Sequence, residues 1–257
     1  MFDYKKQVCL VTGTGNPLGI GFGCAKALGL QGGKIIITAT TERIYERVNE
    51  LKDMGIEAYG YVADLCDCSQ VEKLVLLISE KFGKIDVLIN NAGNASITER
   101  NNGDIRFAIE DMDYEKWNTI INRNLNLNFN VTNNVLKIMR KNHYGRVVHI
   151  SSVTGPIVTH EGQAAYGASK AGISAFSKSI AFEEGKNGII SNCILPGWIK
   201  TGVLNEKQMT AAIDNPLGRP GDANEVGMLA VFLASKENSY ITGQDIVIDG
   251  GNTIQEM

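Results

Sequence analysis

The chain has 257 residues, enough for one full-sized α/β core, and 28 acidic against 25 basic residues leave a formal charge of −3. Neither sign forms a long run, which speaks against nucleic-acid binding and against a polybasic membrane anchor. No apolar stretch approaches bilayer length, and Met1–Gln7 leads into Val8–Val11 too quickly for a signal segment, so a soluble, cytoplasmic protein is expected. The five cysteines are scattered, and Cys66-Asp-Cys68 has no second pair or histidine partner. Reduced structural thiols and no metal are expected.

In chain order, Val8–Thr12 is apolar without alternation and reads as a strand buried on both faces. It runs straight into Thr12-Gly-Thr-Gly-Asn-Pro-Leu-Gly-Ile-Gly21, and the residues that follow, Cys24–Leu28, read as helix. A glycine-rich turn at such a junction lets the backbone approach a pyrophosphate held at the helix N-terminus. Gly13, Asn16, Leu18, Gly19 and Ile20 are its candidate contacts. The strict G-x-G-x-x-G spacing is absent, because Leu18 and Cys24 stand where a third glycine would fall; Pro17 removes one N–H from the cradle.

A second strand, Lys34–Thr38, leads to Thr40, and Ile44, Val48 and Leu51 mark one face of the next helix. After a third strand, Ala58–Val62, comes Ala63-Asp64-Leu65, where an acid can meet an adenine amino group. Val71, Leu74, Val75, Ile78 and Phe82 mark another helical face. Val87–Asn90 precedes Asn91-Ala92-Gly93, a small, polar edge for a cofactor to lie against, and Asn94–Asp113 reads as a polar loop.

A fifth strand, Arg146–Ile150, ends in Ser151-Ser152. Tyr166-Gly-Ala-Ser-Lys170 then puts a phenol and an ammonium one helical turn apart; of the eight tyrosines, only this one has a lysine four residues on. An adjacent positive charge favours phenolate, lowering the tyrosine pKa toward a range useful for proton transfer. The sixth strand, Ile189–Ile194, is followed by Leu195-Pro196-Gly197-Trp198-Ile199-Lys200-Thr201, placed to close over a nicotinamide. Residues 202–220, with Leu204, Met209, Ile213 and Leu217, read as an apolar lid over the site, or equally as a segment packed on the domain or lining a subunit interface, and Ile246–Asp249 is the last strand. This β-α-β repetition predicts an α/β fold: a doubly wound, seven-stranded parallel sheet with helices on both faces and ligands at the carboxyl ends of the strands.

The set Thr12-Gly13 with Gly19-Ile-Gly21, Asp64, Asn90-Asn-Ala-Gly93, Asn124, Ser151-Ser152, Tyr166-x-x-x-Lys170, Pro196-Gly197 and Asp249-Gly-Gly251 resembles the short-chain dehydrogenase/reductase family over essentially the whole chain. The resemblance implies a single-domain Rossmann fold over residues 1–257, a nicotinamide cofactor, a homotetramer and four catalytic residues. Tyr166 would exchange a proton with the substrate oxygen, and Ser152 would hold that oxygen. Lys170 would lower the Tyr166 pKa and bind the nicotinamide ribose, and Asn124 would anchor the water chain that replenishes the proton. Five residues, Thr14 to Leu18, stand where the family usually has three between Thr-Gly and Gly-x-Gly.

For the cofactor, the position that usually carries an acid in NAD-dependent members reads as Thr40. A hydroxyl there leaves room for a 2′-phosphate that Arg43 would pair with, so NADP(H) is favoured over NAD(H); Glu42 reads as a first-turn helix acid. Thr38-Ala-Thr-Thr-Glu42 and the C-terminal motifs Pro216-Leu-Gly-Arg-Pro-Gly221 and Tyr240-Ile-Thr-Gly243 are similar to 3-oxoacyl-[acyl-carrier-protein] reductases, which implies a 3-oxoacyl thioester substrate, with Lys137, Arg140 and Lys141 available to an acidic carrier protein or simply solvated at a helix end. A sugar-alcohol, hydroxysteroid or small secondary-alcohol dehydrogenase is the alternative within the class, and a non-catalytic nucleotide-binding regulator the alternative outside it.

Overall fold

The computed structural model describes residues 2–93, 107–202 and 206–254. Its seven strands are β1 (Val8–Val11), β2 (Lys34–Ala39), β3 (Ala58–Val62), β4 (Val87–Asn90), β5 (Gly145–Ile150), β6 (Ile189–Pro196) and β7 (Asp245–Ile248). They form one sheet in the order β3-β2-β1-β4-β5-β6-β7, and every pairing is parallel. The expected strands are all present, within a residue or two at their ends.

The lack of alternation in the strand sequences follows from two buried faces. On β1, Cys9 and Val11 pack into the cluster of helices α1 (Ile20–Leu30), α2 (Ile44–Asp53) and α8 (Ala223–Leu233). Val8 and Leu10, pointing the other way, join α3 (Cys68–Phe82) and α5 (Leu127–Asn142). The remaining helices are α4 (Tyr114–Ile121), α6 (Ala164–Glu184) and α7 (Glu206–Ile213). Local signals set several helix ends. Asp67 caps α3 by accepting from the Ser69 and Gln70 N–H groups, and Asp222 and Glu225 form a reciprocal capping box on α8.

Three expectations change on contact with the fold. Glu42 lies in the turn before α2, whose first-turn acid is Glu46, because the helix starts only at Ile44. Lys137, Arg140 and Lys141 occupy the last turns of α5. A helix between parallel strands runs back against them, so these cations sit at the sheet edge opposite the strand carboxyl ends, and Arg140 is paired with Glu184. Of the polar segment Asn94–Asp113, residues 94–106 fall outside the described residues, and a short 3₁₀ turn at Ile109–Asp111 leads into α4. No helix among the described residues is long and apolar enough to cross a membrane.

Candidate active site

The strand order reverses between β1 and β4, and the loops splayed apart there leave a crevice at the carboxyl ends. A cavity of ≈ 490 Å³ occupies it, lined by Gly13, Asn16, Thr40, Arg43, Asp64, Leu65, Ala92 and Gly93 from the expected set. Thr38, Thr41, Cys66, Arg123 and Leu127 also line it and had no signal in the sequence beyond standing next to a named motif. Asp64 is the sole carboxylate among the described lining residues, and its Oδ1 accepts from the Cys66 N–H at 2.9 Å.

The first turn is locked to the end of β4. Thr12 Oγ1 accepts from the Asn91 and Ala92 N–H groups, both at 3.0 Å, while Asn91 Nδ2 donates to the Thr12 and Gly13 carbonyls at 2.9 and 3.0 Å. The Asn91 side chain is thus a brace for the turn. Gly19 precedes α1 without a side-chain cap, and Ile20 is the first helical residue, so the helix N-terminus faces the turn with its backbone donors. The lengthened loop reaches across to the segment after β6. Asn16 Nδ2 donates to the Thr201 carbonyl at 2.9 Å and Asn16 Oδ1 accepts from the Leu18 N–H at 3.0 Å; the Leu18 side chain is exposed and lies against Gly202. Ile199 is buried in the core around α8, so its side chain is a packing group.

Asn124, Ser152, Tyr166 and Lys170 come together beside this cavity. Ser152 and Tyr166 line one cavity and lie close enough for the serine hydroxyl to hold the phenol pKa down, and Lys170 Nζ lies 5.6 Å from the Tyr166 ring centroid. Gly93 marks where the other two converge: a Cβ added there would stand 2.8 Å from Asn124 Oδ1 and 3.6 Å from Lys170 Nζ. Asn124 sits in a π-helical turn, Asn122–Asn126, between α4 and α5. Such an insertion leaves carbonyls in need of partners, and two amides supply them: Asn124 Nδ2 donates to Ile120 O at 2.9 Å and Asn128 Nδ2 to Asn124 O at 2.7 Å. Behind them His149 Nδ1 meets Asn128 Oδ1 at 3.2 Å and Asn90 Nδ2 at 3.4 Å; burial drives its pKa down to about 3, so the ring is neutral.

The turn after β5 is seated directly on the start of α6. Ser151 Oγ donates to the Lys170 carbonyl at 2.9 Å, and Gly155, at φ +107°, approaches so closely that a Cβ would lie 2.2 Å from Gly167 O, next to Tyr166.

Electrostatics correct one expectation. Burial pushes the Tyr166 phenol up, and the opposing pull comes from the Ser152 hydroxyl; Lys170 directs its Nζ to the Ile150 carbonyl at 3.0 Å. Lys170 is itself 4% exposed, and desolvation lowers its pKa to about 8.

A second, smaller cavity of ≈ 160 Å³ opens on the other side of Tyr166. Pro196 and Gly197, expected at the cofactor, line this one, with Ser152, Val153, Thr154, His160, Gln163, Trp198, Gln208 and Asn252. The His160 and Trp198 rings stand 6.4 Å apart as one wall. The lid expectation is altered too: α7 presents Gln208 to this cavity, Ile213 and Leu217 are exposed, and Leu204 lies outside the described residues. Gln163 precedes Tyr166 by three residues and so shares its helix face, a signal present in the sequence but not used.

Comparison with known proteins agrees with this architecture. The family model described as enoyl-(acyl carrier protein) reductase matches residues 13–253. The 3-oxoacyl-[acyl-carrier-protein] reductase of Escherichia coli (strain K12) is 36% identical over 253 residues, covering 97% of this chain and 98% of the relative. That of Rickettsia felis is 38% identical over 256 residues, covering 98% of each. Among solved structures, one described as a gluconate dehydrogenase from Agrobacterium tumefaciens superposes with a TM-score of 0.91 at 27% identity over 99% of both chains. One described as a short-chain alcohol dehydrogenase from Sinorhizobium meliloti 1021 has a TM-score of 0.90 at 29% identity, again over 99% of both. On its sequence kinship and its parallel seven-stranded fold, the chain belongs to the short-chain dehydrogenase/reductase family and is an oxidoreductase acting on the alcohol–carbonyl pair.

Proposed function

We propose that the protein reduces a carbonyl to a secondary alcohol, or the reverse, with NADP(H), using Tyr166 as the general acid and base. The observation that carries this reading is the convergence of Ser152, Tyr166, Lys170 and Asn124 between the two cavities. The larger cavity fits a dinucleotide. An uncapped helix N-terminus at Gly19 suits the pyrophosphate, Asp64 suits the adenine amino group, and Thr40 with Arg43 suits a 2′-phosphate where no acid stands at the end of β2. When bound, the cofactor supplies or accepts the hydride.

The side chains manage the proton. Tyr166 Oη gives its hydrogen to the carbonyl oxygen as that oxygen gains negative charge, and Ser152 Oγ hydrogen-bonds the same oxygen and holds it there. Lys170, kept in a low-dielectric setting, stabilises the phenolate left behind, and Asn124 anchors the route by which the proton returns. Assembly as a homotetramer belongs to the same reading.

For the substrate, kinship with 3-oxoacyl-[acyl-carrier-protein] reductases supports a 3-oxoacyl thioester. The hydrogen-bonding lining of the smaller cavity, without Asp, Glu, Lys or Arg among the described residues, favours a second reading, a small hydroxylated compound. Tyr166→Phe tests the core proposal: kcat should fall by about 10²–10⁴-fold while NADPH binding, followed by its fluorescence, is retained. Undiminished turnover would refute it.

A further inference from the structure

The Gln163 side chain is an amide placed at the site without an evident structural duty. Gln163 is the residue before α6, yet its side chain makes no capping hydrogen bond. Its backbone is pinned instead, with the N–H donating to His160 O at 3.2 Å and the carbonyl accepting from Gly167 N at 2.7 Å. Oε1 is buried and has no hydrogen-bond partner among the described residues. A buried amide oxygen left so costs free energy, about 1–3 kcal/mol by mutational measure. Gln163 lines the ≈ 160 Å³ cavity together with Ser152 and Tyr166. Gln163 thus borders the space where a substrate would lie, one helical turn from the phenol.

We propose that Gln163 is a specificity-determining residue that binds a hydroxyl of the substrate close to the reacting carbonyl, so that the substrate class is a small hydroxy ketone and its vicinal diol. A hydroxyl is donor and acceptor at once, so it satisfies the amide whichever way the amide is turned. Among the described lining residues, Thr154, Gln208 and Asn252 are uncharged and polar, His160 is the one imidazole, and none is Asp, Glu, Lys or Arg, which agrees with a neutral, hydroxylated ligand. The volume suits a compound of a few carbons, being well under the roughly 300 Å³ at which drug-sized pockets begin. Around its own reacting carbonyl a 3-oxoacyl thioester offers methylenes and a second carbonyl, which are no donors to Oε1. The assignment rests on the hydride-transfer reading of the Tyr166 site.

The test uses the full chain with NADPH and two near-isosteric ketones, hydroxyacetone and 2-butanone, with acetoacetyl thioester as a third substrate. Wild type should prefer hydroxyacetone in kcat/KM by about tenfold or more, since a site built to bind a hydroxyl rejects the analogue lacking it. Gln163→Met, close in shape and without the amide, should bring the two ketones to within about threefold by losing hydroxyacetone activity at a Tm no lower than that of wild type, and Gln163→Glu, which keeps an acceptor, should restore the preference. A wild-type preference for 2-butanone, a ratio unmoved by Gln163→Met, or loss of both ketones alike overturns the assignment. Reduction of acetoacetyl thioester without reduction of hydroxyacetone also overturns it and leaves the hydride-transfer reading standing, whereas reduction of no carbonyl at all overturns both.

Discussion

Replacing Thr12 by valine should destabilise the protein by about 2–3 kcal/mol, although the two side chains have nearly the same shape. Thr12 is fully buried, and its Oγ1 is the hydrogen-bond acceptor for the Asn91 and Ala92 N–H groups, each at 3.0 Å. Valine keeps the packing and withdraws the acceptor, leaving two part-buried donors in a turn too tight for backbone to replace it. An unmatched buried donor costs about 1–3 kcal/mol, and partial exposure of Asn91 and Ala92 keeps each near the low end of that range. Thr12→Ser is the control: it retains the hydroxyl and deletes one methyl, a loss of about 1 kcal/mol. The assay is urea unfolding at one fixed protein concentration, because any oligomer would make the midpoint concentration-dependent. With a slope near the upper end for small proteins, about 2–3 kcal/mol per M, the valine midpoint should fall by about 1 M at unchanged slope. A valine midpoint equal to that of wild type, or equal to that of the serine variant, would refute the claim that this hydroxyl holds the first turn to β4.

Thr40→Asp combined with Arg43→Ala should swing cofactor preference from NADPH toward NADH by about ten- to a hundredfold in kcat/KM, the worth of one charge-assisted contact; initial rates with both cofactors decide it. Lys170 carries its charge only below its lowered pKa of about 8, and proton donation by Tyr166 needs that charge beside it. The kcat/KM of NADPH in carbonyl reduction, which reports the free enzyme, should therefore fall as pH rises through about 8, a limb that Lys170→Arg should lack whatever its absolute rate. Gly155→Ala puts a side chain at φ +107° and drives it against Gly167 O, so it should cost at least about 2 kcal/mol and lower kcat more than it raises KM; an unchanged Tm would contradict the close seating of the Ser152 turn on α6.

Much of this protein was legible before any coordinates. Ile35-Ile-Ile on β2 and Val87-Leu-Ile on β4 announced doubly covered strands, because a strand buried on both faces has no reason to alternate. The carboxyl-end motifs could be placed together from the connection rule alone, since successive right-handed crossovers bring every strand's end to one edge. Tyr166 and Lys170 share a face through helical spacing, which is local information.

What the sequence did not disclose depends on distances between residues far apart in the chain. Pro196 and Gly197 follow β6 as expected, yet they line the small cavity shared with Gln163 and Asn252 and not the dinucleotide crevice. Asn16 looked like a phosphate contact and also braces Thr201, 185 residues away. The Tyr166 phenol is pushed up and not down, because burial by surrounding elements outweighs the pull of the Ser152 hydroxyl, while the Lys170 ammonium is turned to Ile150 O. Periodicity and motif order, then, determined the fold, the reacting edge of the sheet and the residues gathered there. Depth of burial, the pairing of polar atoms across the crevice and the division into a larger and a smaller cavity were decided only by tertiary packing, since desolvation and hydrogen-bond partners belong to the assembled neighbourhood of a residue and not to its place in the chain.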